Sequence, residues 1–292
     1  MKALEIRDLT KTYGKTAALS SVNLSLEEGF TLGLLGRNGA GKTTLIKAIL
    51  GLINCEKGSV DVYGKNIKQH LRQVKDMIGF VHESSYLYRE LSLAEHEKIL
   101  ASAYSRWDSE RFSVFLEKLS LPKKTKIKTF SKGMKMRASL AIALSHNASL
   151  ILMDEPSSGL DPLVRREMVN IIREELTLEK RSFLISTHIT SDLESIADYL
   201  VILDKGEILL SASKPELTEK YAICKGGNEL LDSGIAEYLT DIRKSSYGFT
   251  AFTSDRDLLS RKYHNSLVIE PANIEDLMVH TLSGGKHENI AY

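Results

Sequence analysis

The segment GRNGAGKT, Gly36 to Thr43, lies between an apolar run, FTLGLLG, and an amphipathic one, TTLIKAILGL. It fits G-x-x-x-x-G-K-[ST], and a strand that ends in this spacing and turns straight into a helix is a phosphate loop. No other feature constrains the fold as tightly. Gly36, Gly39 and Gly41 let the backbone curl until its N–H groups face phosphate oxygens, with the helix N-terminus adding partial positive charge. Arg37, Asn38, Ala40 and Thr44 complete the predicted nucleotide-binding loop. Lys42 is placed to reach the β- and γ-phosphates, and the Thr43 hydroxyl to bind magnesium. Beyond the loop, Leu45, Ala48, Ile49 and Leu52 follow helical spacing.

The rest of the chain supplies the matching elements. ALEIRDLTKTY and SVNLSLEEG read as strands before the loop. Between residues 83 and 122 the pattern turns helical, with a capping-box signature at Ser92 and Glu95 and an apolar stripe of Phe112, Phe115, Leu116 and Leu119. A helix ASLAIALSHN, a strand SLILMD, a helix near 162–176, a strand SFLIST, a helix near 190–197 and a hairpin YLVILDKGEILLS follow. Strands alternating with helices imply a mostly parallel α/β sheet. After about residue 212 the pattern changes, with SKPELTEK as the boundary. Residues 213–292 are expected to form a small α+β appendage: a helix carrying Ile235, Tyr238, Leu239 and Ile242, strands GFTAFT and SLVIE, and a last helix with Ile274, Leu277 and Met278. It contains no catalytic constellation, and a regulatory role, support of a dimer and structural padding all remain open.

Composition removes several classes. With 39 basic and 38 acidic residues and a net charge of +1, no global field attracts nucleic acid or an anionic membrane. Cys55 and Cys224 stand far apart with no further Cys or His cluster, against both a structural zinc and a disulfide scaffold. A reduced cytosolic setting is the simple reading. The N-terminus alternates like a strand rather than a leader, and no apolar run approaches the roughly 18 residues that span a bilayer. Work at a membrane would go through another chain.

SLILMDEP ends an apolar strand in two carboxylates. Neighbours on a strand point to opposite sides, so Asp154 suits magnesium while Glu155 is placed to orient or deprotonate a water for attack on the γ-phosphate. In motif order, residues 1–212 resemble the ATP-binding cassette (ABC) ATPases, which implies a P-loop NTPase fold with a helical subdomain, about 83–145 here. The resemblance implies an adenine-stacking Tyr13 in LTKTYGK, a catalytic Glu155 in LILMDEP, a D-loop SSGLD whose Asp161 faces a partner subunit, and a switch histidine, His188, in STHI. Its FSKGM falls on the signature loop: Ser131 and Gly133 match the common Leu-Ser-Gly-Gly-Gln, whereas Lys132 and Met134 depart. Together with SRWD upstream, that form looks like the subgroup serving bacterial exporters of bacitracin-like and other antimicrobial peptides.

FSKGM carries its own physical test. Ser131 is a good N-cap, but Lys132 in the first helical turn opposes the helix dipole by about a few tenths of a kcal/mol. A γ-phosphate on another subunit reverses that sign; a solvated cation at an ordinary helix start is the alternative. IGFVHE places Glu83 where the family has a magnesium-contacting glutamine. Glu83 is a hard oxygen ligand that brings negative charge beside Asp154 and Glu155. His82 reads as a loop histidine, and KKTKIK as a solvated face. The resemblance therefore implies an ATP- and Mg2+-dependent ATPase on the cytoplasmic face of the membrane. It would dimerise with a second cassette and drive separate transmembrane permease subunits that export peptides or drugs. A soluble cassette acting on nucleic acid or ribosomes is the alternative, against which stands the lack of a long heptad run. A regulatory cassette that binds ATP without hydrolysis is another, against which stand Glu155 and His188.

Overall fold

A computed structural model describes residues 1–83, 86–179, 181–263 and 266–284, so the last eight residues of the expected 213–292 unit lie outside the described residues. The N-terminal part forms an antiparallel sheet of order β2-β1-β4-β5 from β1 (Lys2–Tyr13), β2 (Thr16–Glu27), β4 (Lys57–Val62) and β5 (Lys65–Asn66). A second sheet has order β10-β9-β3-β8-β7-β6, from β3 (Thr31–Leu35), β6 (Ile78–His82), β7 (Leu150–Asp154), β8 (Ser182–Thr187), β9 (Tyr199–Asp204) and β10 (Glu207–Ser213). All its ladders are parallel except the β9–β10 hairpin. The mostly parallel sheet expected from the alternation of elements is present.

Every residue of β3, β7 and β8 is buried, as befits strands covered on both faces. Their alternation sorts side chains into two cores. Leu32, Leu34, Leu150, Leu152 and Leu184 pack with β1, β2, β4 and helix α1 (Lys42–Ile49). Leu35, Ile151, Met153, Phe183 and Ile185 pack on the other face against α4 (Ser109–Lys118), α5 (Lys132–Ser145) and α6 (Pro162–Glu179). Burial of each such side chain is worth about 1.5–3 kcal/mol, so this face-by-face sorting fixes the register of the sheet. Helix α2 (Leu71–Met77) leads into β6, and α3 (Leu93–Ala103) starts at the expected capping box, in which Ser92 accepts from the Glu95 N–H. Phe112, Phe115, Leu116 and Leu119 are buried as the stripe requires.

Several boundaries differ from expectation. Helix α1 ends at Ile49, with Gly51 at φ 63°, and this leaves Leu52 58% exposed. Helix α5 begins six residues before ASLAIALSHN, because Ser131 caps it. The helix expected near 190–197 is one turn, α7 (Thr190–Leu193). The boundary segment SKPELTEK forms a helix, α8 (Lys214–Lys220), started by a capping box between Ser213 and Glu216.

Beyond α8, β11 (Ala222–Gly226), β12 (Thr240–Ser245), β13 (Gly248–Thr253) and β14 (Val268–Pro271) make a third sheet of order β12-β13-β11-β14. Two helices accompany it, α9 (Arg256–Tyr263) and α10 (Ile274–Leu282). The helix expected over Ile235–Ile242 does not form. Gly234 at φ 84° precedes a short 3₁₀ turn, Ile235–Tyr238, and Ile242 lies in β12, where pairing with β13 overrides helical spacing. Cys224 belongs to the small core of this sheet, where burial pushes its thiol up to about 11. Leu217, Tyr221, Phe252, Ile274 and Leu277 instead join the core beneath the parallel sheet.

Candidate nucleotide site

The sheet order explains why three motifs distant in sequence meet. β8 runs between β3 and β7, so the segments leaving the C-terminal ends of these strands are neighbours: the loop from Gly36, the pair Asp154–Glu155, and His188. Crevices beyond the carboxyl ends of parallel strands are where such sheets bind ligands.

In the loop, Gly41 has φ 112°, and a Cβ there would stand 2.5 Å from the Ala18 carbonyl oxygen. Only glycine fits. Helix α1 has no side-chain N-cap and no acid in its first turn, which leaves its first N–H groups and their partial positive charge to the loop. Lys42 is 6% exposed and donates to the Gly36 and Arg37 carbonyls at 2.6 and 3.3 Å. Thr43, Arg37, Asn38 and Gly39 are exposed, Ala40 is buried and Thr44 is half-buried.

Asp154 is 2% exposed and accepts from the Ser186 hydroxyl at 2.5 Å. Glu155, one residue on, has left the strand with φ 50°. A left-handed conformation at a non-glycine residue costs about 1–3 kcal/mol and persists where its surroundings impose it. Here the Glu155 N–H donates to the Ser186 carbonyl at 3.0 Å. The two carboxylates take different partners. One Glu155 oxygen, Oε2, lies 2.6 Å from His188 Nδ1 and accepts from the His188 N–H at 3.3 Å. The other, Oε1, is buried without a hydrogen bond and stands 3.2 Å from Lys42 Nζ. A carboxylate held between a lysine and an imidazole has the chemistry to orient a water and take its proton.

The signature-like segment lies apart from this cluster. Ser131 caps α5 by accepting from the Met134 N–H at 3.2 Å, and Gly133 abuts Val164 at the start of α6. Among the described residues, no hydrogen bond or ion pair joins Ser131–Met134 to the Gly36–Thr44 loop. The Lys132 ammonium lies 3.0 Å from Glu83 Oε1 in the same chain, close to Gly159. Ser158 donates to that same oxygen at 3.0 Å. The Lys132 bond, then that from Ser158, hold the Glu83 carboxyl below the usual carboxylate range. The Glu83 backbone N–H donates to the Asp154 carbonyl at 3.0 Å. Asp161, expected to face a partner, caps α6 by accepting from the Leu163 and Val164 N–H groups, both at 3.0 Å.

Comparison with known proteins decides the family. Residues 19–158 match the ABC transporter family. The bacitracin transport ATP-binding protein BcrA of Bacillus licheniformis is 34% identical over 70% of this chain and 68% of its own. The linearmycin resistance ATP-binding protein LnrL of Bacillus subtilis is 31% identical over 91% of this chain and 88% of its own. A solved ATP-binding subunit of an ABC transporter superposes with a TM-score of 0.69, at 30% identity, over 74% of this chain and 91% of that one. The chain belongs to the ABC transporter ATP-binding family.

The cassette is therefore an ATPase that uses ATP with Mg2+. Its residues fit that pair: uncapped N–H groups and Lys42 for phosphate, Asp154 and the exposed Thr43 for the ion. Among the described residues, no three His, Cys, Asp or Glu side chains converge as a metal cage. Magnesium, which keeps water and phosphate oxygens as ligands, does not need one.

Tyr13 ends β1 at the hairpin to β2, paired with Thr16, two residues before the Ala18 carbonyl that touches the loop. Tyr13 is 51% exposed, with Lys11 Nζ over its ring at 5.2 Å. We expect Tyr13→Ala to weaken ATP binding by about 1–3 kcal/mol, the scale of one base–aromatic stack. Titration with a fluorescent ATP analogue checks this, and unchanged affinity removes Tyr13 from the site.

Two partners escaped the sequence reading. Ser186 steadies Asp154 and Ser158 steadies Glu83. A hydroxyl within the apolar strand SFLIST was a usable signal for the first; the second had none.

Proposed function

We propose that this ATPase powers export of antimicrobial peptides or related drugs, working as a dimer of cassettes against separate permease subunits at the cytoplasmic face of the membrane. Relatives named for bacitracin transport and linearmycin resistance support the cargo class. No helix among the described residues is long and apolar enough to cross a membrane. In this reading residues 1–212 are the cassette, with its helical subdomain near 83–145, and the unit from 213 is an accessory. Lys42 and the Gly36–Thr44 loop hold the phosphates, Thr43 and Asp154 the magnesium, and Glu155 activates water under His188. Ser131, Lys132, Gly133 and Met134 face the nucleotide of the partner cassette, and Asp161 faces the partner subunit. The observation that carries hydrolysis is the 2.6 Å Glu155–His188 contact beside Lys42, which a cassette that only binds ATP does not need.

Glu83 and Lys132 can serve magnesium and phosphate only by leaving each other, so their ion pair is the natural gate between permease and site. The test is phosphate release by the cassette reconstituted with its permease in vesicles, with and without a bacitracin-like peptide. Exposed pairs of this kind are worth about 0–1 kcal/mol, so Glu83→Gln should change the basal rate by less than about fivefold. Peptide stimulation should fall by more than that. A permease whose presence and cargo leave the rate unchanged sinks the transport reading; equal effects on basal and stimulated rates remove Glu83 from coupling.

A further inference from the structure

The C-terminal unit reaches the hydrolytic pair from behind. Two residues after His188 the single turn α7 begins, and its last residue, Leu193, is fully buried. On one side Leu193 presses on the sheet so closely that a Cβ on Gly33 of β3 would stand 2.6 Å from its Cδ1. On the other side Leu193, with Ile196 and Ala197, shares a core with Ile274 and Leu277 of α10. Glu194, the next residue, closes the contact: its Oε1 accepts from the Ile274 N–H at 2.6 Å. Ile274 is the first residue of α10 after the Asn273 cap, so the carboxylate also meets the positive end of the helix. The Lys214 ammonium at the start of α8 holds the Glu194 carbonyl. The post-histidine segment is thus wedged between β3, which leads to the phosphate loop, and two helices that lie beyond residue 212.

We infer that α10, clamped by Glu194, is a positioning element for hydrolysis: it fixes the α7 turn and, through it, His188 against Glu155. The inference rests on the reading of Glu155 and His188 as the hydrolytic pair. Glu194 acts through the α7 turn and His188. Whatever displaces α10 would slow turnover without loosening ATP, which gives the C-terminal unit a control function.

The test compares four variants of the full chain for ATP turnover, melting temperature and amide exchange of the 187–197 peptide without nucleotide. Glu194→Ala removes the acceptor and should lower kcat by about tenfold at unchanged KM, the size of a sub-ångström misplacement, and speed exchange in that peptide. Glu194→Gln keeps an acceptor oxygen and should restore kcat. Leu259→Ala empties a fully buried position in the separate small core. It should lower the melting temperature but leave kcat alone. His188→Ala is the reference. If it lowers kcat and Glu194→Ala does not, or if Glu194→Gln or Leu259→Ala fails like Glu194→Ala, the clamp is overturned. If His188→Ala itself keeps full turnover, the hydrolytic reading fails and the clamp falls with it.

Discussion

Glu155→Gln should lower kcat by about 10²–10⁴-fold, the range a positioned general base supplies, while ATP still binds. Glutamine keeps the shape and one carbonyl oxygen, so the 2.6 Å contact with His188 can persist. Its amide cannot take a proton from water. Binding should survive because the phosphate contacts belong to the α1 N-terminus and to Lys42, which retains the Gly36 and Arg37 carbonyls. The left-handed backbone at Glu155 is set by its N–H bond to Ser186 rather than by its side chain, so the fold should also survive. Phosphate release and retention of labelled ATP on a filter are the measurements. A rate within about tenfold of the parent would move the base elsewhere, since general bases contribute about 100-fold or more.

What the sequence disclosed depended on range. β3, β7 and β8 were legible because strands buried on both faces read as continuous apolar runs, and the motifs at their ends travel with them. The capping boxes at Ser92 and Ser213 follow local rules, and the one at Ser213 starts a helix within the boundary segment. The Ile235–Ile242 stripe misled because one left-handed glycine and one strand pairing outweigh helical spacing. Neither the Lys132–Glu83 pair, 49 residues apart, nor the Glu194–Ile274 bond, 80 apart, has any periodic signal. A lysine opposing its own helix dipole invited an anionic partner, and the sequence placed that anion on another molecule. The structure also offers one in the same chain. Both answers satisfy the same electrostatics, and only a dimer separates them.

That separation is the second large effect expected. In the Glu155→Gln background, ATP that is not hydrolysed should hold two cassettes together, because any state that binds the ligand more tightly is favoured by mass action. On a sizing column with ATP and magnesium the protein should move from the 32.6 kDa monomer to twice that mass. Adding Ser131→Arg should abolish the shift. The argument is geometric: among the described residues, the capped start of α5 makes no hydrogen bond or ion pair to the phosphate loop of its own chain, so in the proposed reading it faces a nucleotide held by another. Arginine removes the Ser131 cap, at a cost of about 0.5–2 kcal/mol, and fills the space where a phosphate would sit. Monomeric ATP binding through Lys42 and Tyr13 should stay intact, and measuring it alongside the melting temperature separates a blocked interface from an unfolded helix. If the double variant still dimerises with ATP, the start of α5 is an ordinary helix terminus and Lys132 belongs to Glu83 alone. If Glu155→Gln by itself never dimerises, the same experiment on the cassette co-expressed with a second, different cassette decides whether the trans site is shared between unlike chains.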